Sequence, residues 1–354
     1  MKNKKIITII LGTLVVILSI ATVFGFFFFR RNILMYEKIN SVDYKDYDKL
    51  YFLIYDKTDS SMWDMIYESM KTYGEESGAF IMRADENLET AYTKEELLDM
   101  AINAQVDGII LEGEDSQEIT ELIATASKNG IPVITVHEDI TDSMRKSYVG
   151  VNNYNLGTEY GKIIVSAARD IMRKRIVEGG GENIDTQINV CVLFDKGSST
   201  NYQNIIYNAI SEVTDNDDSS GSRISLSSYG VSGGDTLGIE ESIQGLFKNA
   251  DMSPDIVVSF NEQNTRSVYQ AVIDKNQVGE IYIVGYSDSD TILRGIERNA
   301  IYATISVDTD QAAKYAITAL EEYYEMGRVS EYFGVDYTLI NSYNIEDYLN
   351  KDDQ

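Results

Sequence analysis

The chain has 354 residues, 44% of them hydrophobic, with 57 acidic against 30 basic side chains and a formal net charge of -27. Such a field repels nucleic acid and anionic lipid, so neither is a fitting partner. The single cysteine, Cys191, excludes an internal disulfide, and its place in the apolar run 188–194 makes it a small core residue.

The first element is a leader. Residues 6–29 carry no charge; Lys2, Lys4 and Lys5 precede them, and Arg30 and Arg31 follow. At ~1.5 Å per residue, a helix of this length spans the ~30 Å hydrocarbon core of a bilayer. Ser19-Ile20-Ala21 offers a small-x-small cleavage site, the alternative being a signal peptide. The run continues to Phe29, further than a signal peptide needs, which favours a retained transmembrane helix. No cysteine lies near it, so a lipid-modified terminus is excluded. The positive-inside bias is slight, and a leader this short leaves its body outside, with residues 1–5 in the cytoplasm. Residues 30–47 are a polar tether.

From there a strand–helix alternation begins. Strand-like runs at 50–55, 79–82, 108–111, 132–136 and 148–151 enclose helical patterns at 62–73, 94–104 and 118–128. Met62, Ile66, Met70 and Tyr73 line one face of the first helix. The grammar restarts with strands at 189–194, 224–229, 256–260, 281–284 and 302–305, and helices at 202–213, 236–249, 265–274 and 311–326. Residues 173–186 and 214–222 read as surface loops, and Pro132 and Pro254 stand at strand starts. This predicts an α/β protein of two similar lobes, each a parallel sheet flanked by helices. A body of this size also exceeds one ordinary core.

No motif for catalysis or a cofactor emerges. The only histidine, His137, and Cys191 fall in different halves, with no serine–histidine–acid spacing. Gly179-Gly180-Gly181 lies in a charged loop, and Gly233-Gly234 merely precedes a helix, so no dinucleotide turn is formed. Asp215, Asp217 and Ser219 alternate like a calcium loop, but Gly221 falls one place late and no glutamate closes it. The expectation is a protein that is no enzyme and has neither cofactor nor metal. A carboxylate-based hydrolase using Glu112 and Glu138 is the minor alternative.

Several segments, in order, resemble the type I periplasmic binding proteins of the ribose and galactose kind. They are Asp107-Gly108-Ile109-Ile110-Leu111, Ile131-Pro132-Val133-Ile134-Thr135-Val136, Tyr148-Val149-Gly150-Val151-Asn152-Asn153, Ser259-Phe260-Asn261-Glu262, Val284-Gly285-Tyr286-Ser287-Asp288 and Ala303-Thr304-Ile305 with Asp308 and Gln311. The likeness covers about 48–349. It implies one lobe from 48–150 with 309–334 and a second from 151–308 with 335–354, an interlobe cleft and several hinge crossings.

The resemblance also implies ligand positions. The first lobe would contribute Asp56, Met62, Trp63, Glu112, His137 and Glu138; the second, Asp195, Asn201, Asn261, Ser287 and Asp288. Asp308 touches ligand or caps the helix that starts at Thr309. Trp63 suits the apolar face of a sugar. The family's sugar-forking arginines have no counterpart here, and Ser287 replaces its aspartate, so the cleft is rich in carboxylates. A sugar or polyol is the leading ligand, with an amino sugar or another cationic solute as the alternative. His137 is a hydroxyl donor, a pH-sensitive group or a plain core residue. The implied role is delivery to an ABC-type permease from the outer face of the membrane; the rival is sensing, through a membrane histidine kinase or chemoreceptor.

Overall fold

The computed structural model describes residues 47–55, 60–84, 92–179, 186–196, 200–218, 220, 222–232, 236–248 and 254–349. The leader, nearly all of the tether and Asp56 lie outside the described residues. Among those described, no helix is long and apolar enough to cross a membrane.

The first half alternates β1 (Lys49–Ile54), α1 (Ser60–Ser77), β2 (Ala79–Arg83), α2 (Lys94–Asn103), β3 (Gly108–Glu112), α3 (Gln117–Lys128), β4 (Val133–Val136) and β5 (Ser147–Gly150). The second runs α4 (Asn153–Glu178), β6 (Gln187–Asp195), α5 (Thr200–Asp215), β7 (Arg223–Val231), α6 (Thr236–Leu246), β8 (Ile256–Val258), α7 (Glu262–Asp274), β9 (Tyr282–Tyr286), α8 (Asp290–Glu297) and β10 (Ala303–Val307). The chain ends with α9 (Thr309–Met326), β11 (Tyr332–Gly334), β12 (Tyr337–Asn341) and α10 (Glu346–Leu349).

Two six-stranded sheets result, ordered β2-β1-β3-β4-β5-β11 and β7-β6-β8-β9-β10-β12. Each starts one strand in from an edge, adds its second strand at that edge and then winds across to the other side, the order that right-handed crossovers build. The first sheet is parallel throughout. The second departs from the expected all-parallel arrangement, because β12 pairs antiparallel with β10. The chain reaches β12 from β11 by a short link, without a crossover helix that would return it to the other end of the sheet.

Strands β3, β4 and β8 are buried along their whole length, as befits sheets covered on both faces. One apolar cluster packs α2 and α3 on the first sheet and another packs α6, α7 and α8 on the second. A third runs through both lobes and includes Trp63, Tyr160, Phe260 and Tyr286. Cys191 is buried in β6, and burial pushes its thiol up to about 11.

Helix starts follow their caps. Thr93 and Glu96 form a capping box on α2, and Ser116, Asn152, Asn261 and Asp308 accept from the first turns of α3, α4, α7 and α9. Two readings are corrected. Residues 173–178 are helix, not loop: Ile171 and Met172 are buried, Lys174 Nζ meets Glu280 Oε1 at 2.7 Å, and Arg175 pairs with Asp255. The charges that suggested a loop are satisfied laterally. Helix α8, not anticipated, is only eight residues long, held by buried Ile292, Leu293 and Ile296.

The chain passes between sheets after β5, after β10 and after β11, and these crossings are tied together. The Val335 N–H donates to the Gly150 carbonyl at 2.9 Å, and the Asp308 N–H to the Asp336 carbonyl at 3.0 Å. The Gln311 amide donates to Asp336 Oδ2 at 3.0 Å.

Candidate functional site

Ligands of open α/β sheets bind beyond the carboxyl ends of the strands. Here those ends meet. From the first lobe come Tyr55 after β1, Glu112 at the end of β3 and His137 after β4; from the second, Asp195 at the end of β6, Asn261 after β8 and Ser287 after β9. Contacts cross the gap: Ser61 donates to Glu262, the Tyr286 hydroxyl meets Met62 Sδ at 3.7 Å, and the His137 ring lies 6.4 Å from that of Tyr202 and 6.3 Å from that of Tyr286.

In the first lobe, Trp63 is 0% exposed and stacks on Tyr55, with ring centroids 5.0 Å apart and planes 19° off parallel. Its indole N–H donates to Glu112 Oε1 at 3.3 Å. The other Glu112 oxygen faces Lys94 Nζ at 3.3 Å, and Lys94 also pairs with Glu114 at 2.9 Å. Lys94 was missed by sequence reasoning. Its signal was faint: a lysine at the first position of a helix opposes the helix dipole, and only a nearby anion makes that place favourable. The Glu112 charge is thus matched within the protein.

His137 holds a left-handed backbone with φ 69. Burial is the main influence on its imidazole and lowers its pKa; Glu112 acts to raise it and Lys94 to lower it. Burial thus favours the neutral form of the ring. The buried Glu138 turns elsewhere, into a side cavity that it shares with Asn201. Gly113 permits this layout, since a Cβ there would run into the Glu138 carbonyl.

In the second lobe, Gln203 brackets Asp195: its Oε1 accepts from the Asp195 N–H at 2.8 Å and its amide donates to the Asp195 carbonyl at 3.1 Å. Asn261 Nδ2 reaches Asp195 Oδ2 at 3.5 Å, while its Oδ1 caps α7. Glu262, also missed, is only 6% exposed. It accepts from Ser287 Oγ at 3.1 Å as well as from Ser61, and sits in the first turn of α7, where the helix dipole favours an anion. Beneath them, the buried Tyr160 hydroxyl donates to the carbonyls of Ser259 and Gly285, at 3.3 and 3.1 Å. Asp288 lies partly exposed beside Ser287. Asp308 is exposed at the second crossing and caps α9, accepting from the Gln311 N–H at 2.9 Å.

The structure thus brings Met62, Trp63, Glu112 and His137 of one lobe toward Asn261, Ser287 and Asp195 of the other. It sets Glu138 and Asn201 to the side and Asp308 at the hinge. Glu112 and Glu138 serve different neighbours. Among the described residues, no group of acidic, histidine or cysteine side chains is arranged to hold a metal ion.

Fold and cleft together define a bilobed binding protein. The chain belongs to the family described as periplasmic binding protein domain, whose model matches residues 50–328. Its fold is shared with GanP, a glucose-galactose binding protein from Geobacillus stearothermophilus, at 18% identity and a TM-score of 0.67, covering 84% of this chain and 98% of that one. A solute-binding protein of an ABC transporter from Agrobacterium vitis, solved with α-D-tagatopyranose, matches at 16% identity and a TM-score of 0.68, covering 85% and 97%. XylFII in its complex with LytSN matches at 22% identity and a TM-score of 0.65, covering 84% and 98%. A comparison with curated proteins gave no match. The family is one of binding proteins, not enzymes.

Proposed function

We propose that this protein is a membrane-anchored, extracytoplasmic solute-binding protein that closes on a sugar or polyol and presents it to an ABC-type permease. The observation that carries this reading is the meeting of the two sets of strand ends. Met62 and the His137 imidazole on one side meet aromatic rings on the other, where hydroxyl, amide and carboxylate groups gather beside them. Flat rings suit the C–H face of a sugar, and fixed acceptors suit its hydroxyls. The pairing of Glu112 with Lys94 weakens the case for a cationic ligand, because one carboxylate is already compensated. The sugars named for GanP and for the Agrobacterium vitis protein agree with this choice. Anchoring rests on the apolar leader at 6–29, and the extracytoplasmic location on that leader and the family.

A second reading is sensing, in which the closed form docks on a membrane histidine kinase or chemoreceptor. It is favoured by the similarity to XylFII, which was solved in a complex with LytSN. Deleting the protein separates the two: delivery requires loss of solute uptake, whereas sensing requires normal uptake with loss of the transcriptional response. The binding reading itself is tested by thermal shifts of the full chain with sugars, polyols and amino compounds. A true ligand at a hundredfold excess over Kd stabilises by ~2.7 kcal/mol. Shifts confined to amino compounds would replace the sugar reading with the cationic one.

A further inference from the structure

The end of the second sheet that points away from the cleft carries two adjoining cavities, of about 280 and 220 Å³. They share Asp170, Tyr302 and Ser342. The larger opens beside Tyr282, at the starts of β9 and β10, and the smaller runs on between α4 and the edge strand β12.

The two lobes differ at this seam. Helices α9 and α4 hold matching places: each follows a crossing and packs on the helix after the first strand of its sheet, α1 or α5. Between α9 and β11 the seam is filled, because Tyr315 packs on Phe333 with ring centroids 5.5 Å apart. Along β12, α4 instead presents Glu159, Lys162, Ser166 and Asp170, and this polar face leaves a groove.

Beside the groove stands Tyr343, 94% exposed. Its turn is fixed. The Tyr343 N–H donates to Asn341 Oδ1 at 2.9 Å, and the Asn341 N–H donates to Asn344 Oδ1 at 2.8 Å. Asn344 Nδ2 also takes the Leu339 carbonyl at 2.9 Å, so this stretch of the β12 edge is spent and docking falls to side chains. With its backbone already ordered, the ring loses only side-chain freedom when it is covered, and tyrosine is a frequent anchor of interfaces. The matching hole lies next to it. Tyr282 and Tyr302, with centroids 5.2 Å apart, wall the larger cavity. A cavity of ~150 Å³ holds a benzene ring, so a tyrosine ring fits here.

Charge narrows the choice of partner. Along the groove Lys162 pairs with Glu159 at 3.0 Å, Arg173 with Asp170 at 3.2 Å and Lys174 with Glu280 at 2.7 Å. A strongly basic partner would seat better elsewhere on a chain of net charge -27. The face suits a neutral surface that bears an exposed aromatic ring. A second copy brings that surface, and a two-fold contact requires knob and hole on the same patch.

We propose that this face of the second lobe joins two copies of the chain, the Tyr343 ring of each seated in the cavity beside Tyr282 and Tyr302 of the other. The test is sedimentation equilibrium of the full chain in detergent. The natural protein should show a monomer–dimer equilibrium. Tyr343→Ser should weaken it about thirtyfold or more, the loss expected of an interface anchor. Ser342→Trp, which fills the groove from an exposed position lining both cavities, should weaken it as much. Tyr302→Phe keeps the ring and should leave the dimer intact. Both disruptive changes fall on exposed residues, so melting temperatures of the monomer should hold. Because the acidic bodies repel one another elsewhere, raising salt from about 50 to about 500 mM should strengthen the dimer. A chain that stays monomeric, a dimer that salt dissolves, or one that ignores Tyr343→Ser and Ser342→Trp, as association through the leader would, overturns the proposal. Should a monomeric chain still lose its cellular role in Tyr343→Ser, the face belongs to a different protein and the second copy is excluded.

Discussion

The two lobes share a strand order but carry different chemistry to the cleft. At the ends of β4 and β9, which hold the same place in their sheets, the chain turns through left-handed residues, His137 with φ 69 and Ser287 with φ 85. Neither is glycine, so each turn stores strain of ~1–3 kcal/mol that the surrounding structure must hold. The scaffold at these two points is thus the same, while the side chains diverge. The first lobe presents rigid rings and a carboxylate already matched by Lys94. The second presents hydroxyls and amides gathered at the start of α7, and its Glu262 completes one of its hydrogen bonds only by reaching Ser61 across the gap. One half is organised by itself; the other depends on closure.

The largest effects should come from the self-organised half. Lys94→Met would leave Glu112 buried with its counter-charge gone, for Lys94 and Glu112 side chains are only 13% and 11% exposed. The expected loss is ~3–5 kcal/mol in denaturant unfolding, most of it recovered when Glu112→Gln is added. A loss under ~1 kcal/mol, the size of a surface pair, would erase the contrast between the lobes. Trp63→Ala should cost a similar ~3–5 kcal/mol, because the ring is fully buried, and should also remove any thermal shift by sugar. A ligand shift that survives this change would assign Trp63 to the core alone.

This contrast bears on how far the sequence was legible. The sheets could be read because buried parallel strands are short apolar runs, such as 108–111 and 132–136, bounded by turn residues and amphipathic helices. Glu112, His137, Asn261 and Ser287 were singled out by the resemblance to the family, and the structure places all four at or just beyond strand ends. What escaped was whatever depends on partners distant in sequence. Lys94 reads as an ordinary charged helix residue until Glu112 is folded against it. Glu262 lies one place after a recognisable asparagine and reads as a surface acid, yet it is buried and accepts a hydrogen bond from a serine 201 positions away. Residues 173–178 carried too many charges to look like helix, because Asp255 and Glu280 are invisible to a local window. Side-chain surroundings were equally hidden: Glu138 lines a side cavity, while the ring of its neighbour His137 lies near Tyr202 and Tyr286.

A smaller effect should come from a bond that crosses between the lobes. Ser61→Ala removes a hydroxyl donated to a buried carboxylate, worth ~1.5–3 kcal/mol if the lobes are held shut by it. Much of that cost disappears if the lobes simply part and let water reach Glu262. Small-angle scattering distinguishes the outcomes. The dependent-lobe picture expects a larger radius of gyration for Ser61→Ala with little change in unfolding free energy. An unchanged radius with a full stability loss would mean that both lobes are equally fixed.

The smallest effect is the pH response of His137. Burial lowers its pKa in the folded protein below the ordinary ~6.5 of an unfolded chain. Between the lowered value and ~6.5 the unfolded state binds more protons, so stability rises with pH across that window. It is fully present above ~6.5 and falls as acidification proceeds toward the folded value. His137→Asn is the matched control, since asparagine tolerates the left-handed backbone and does not titrate. Melting temperatures at pH 7.5 and 5.5 should therefore fall more for the natural protein than for the variant. The reverse result would mean that the attraction of Glu112 outweighs burial. The Glu112 charge would then be shared between Lys94 and a protonated His137, and the first lobe would owe its organisation to pH as well as to packing.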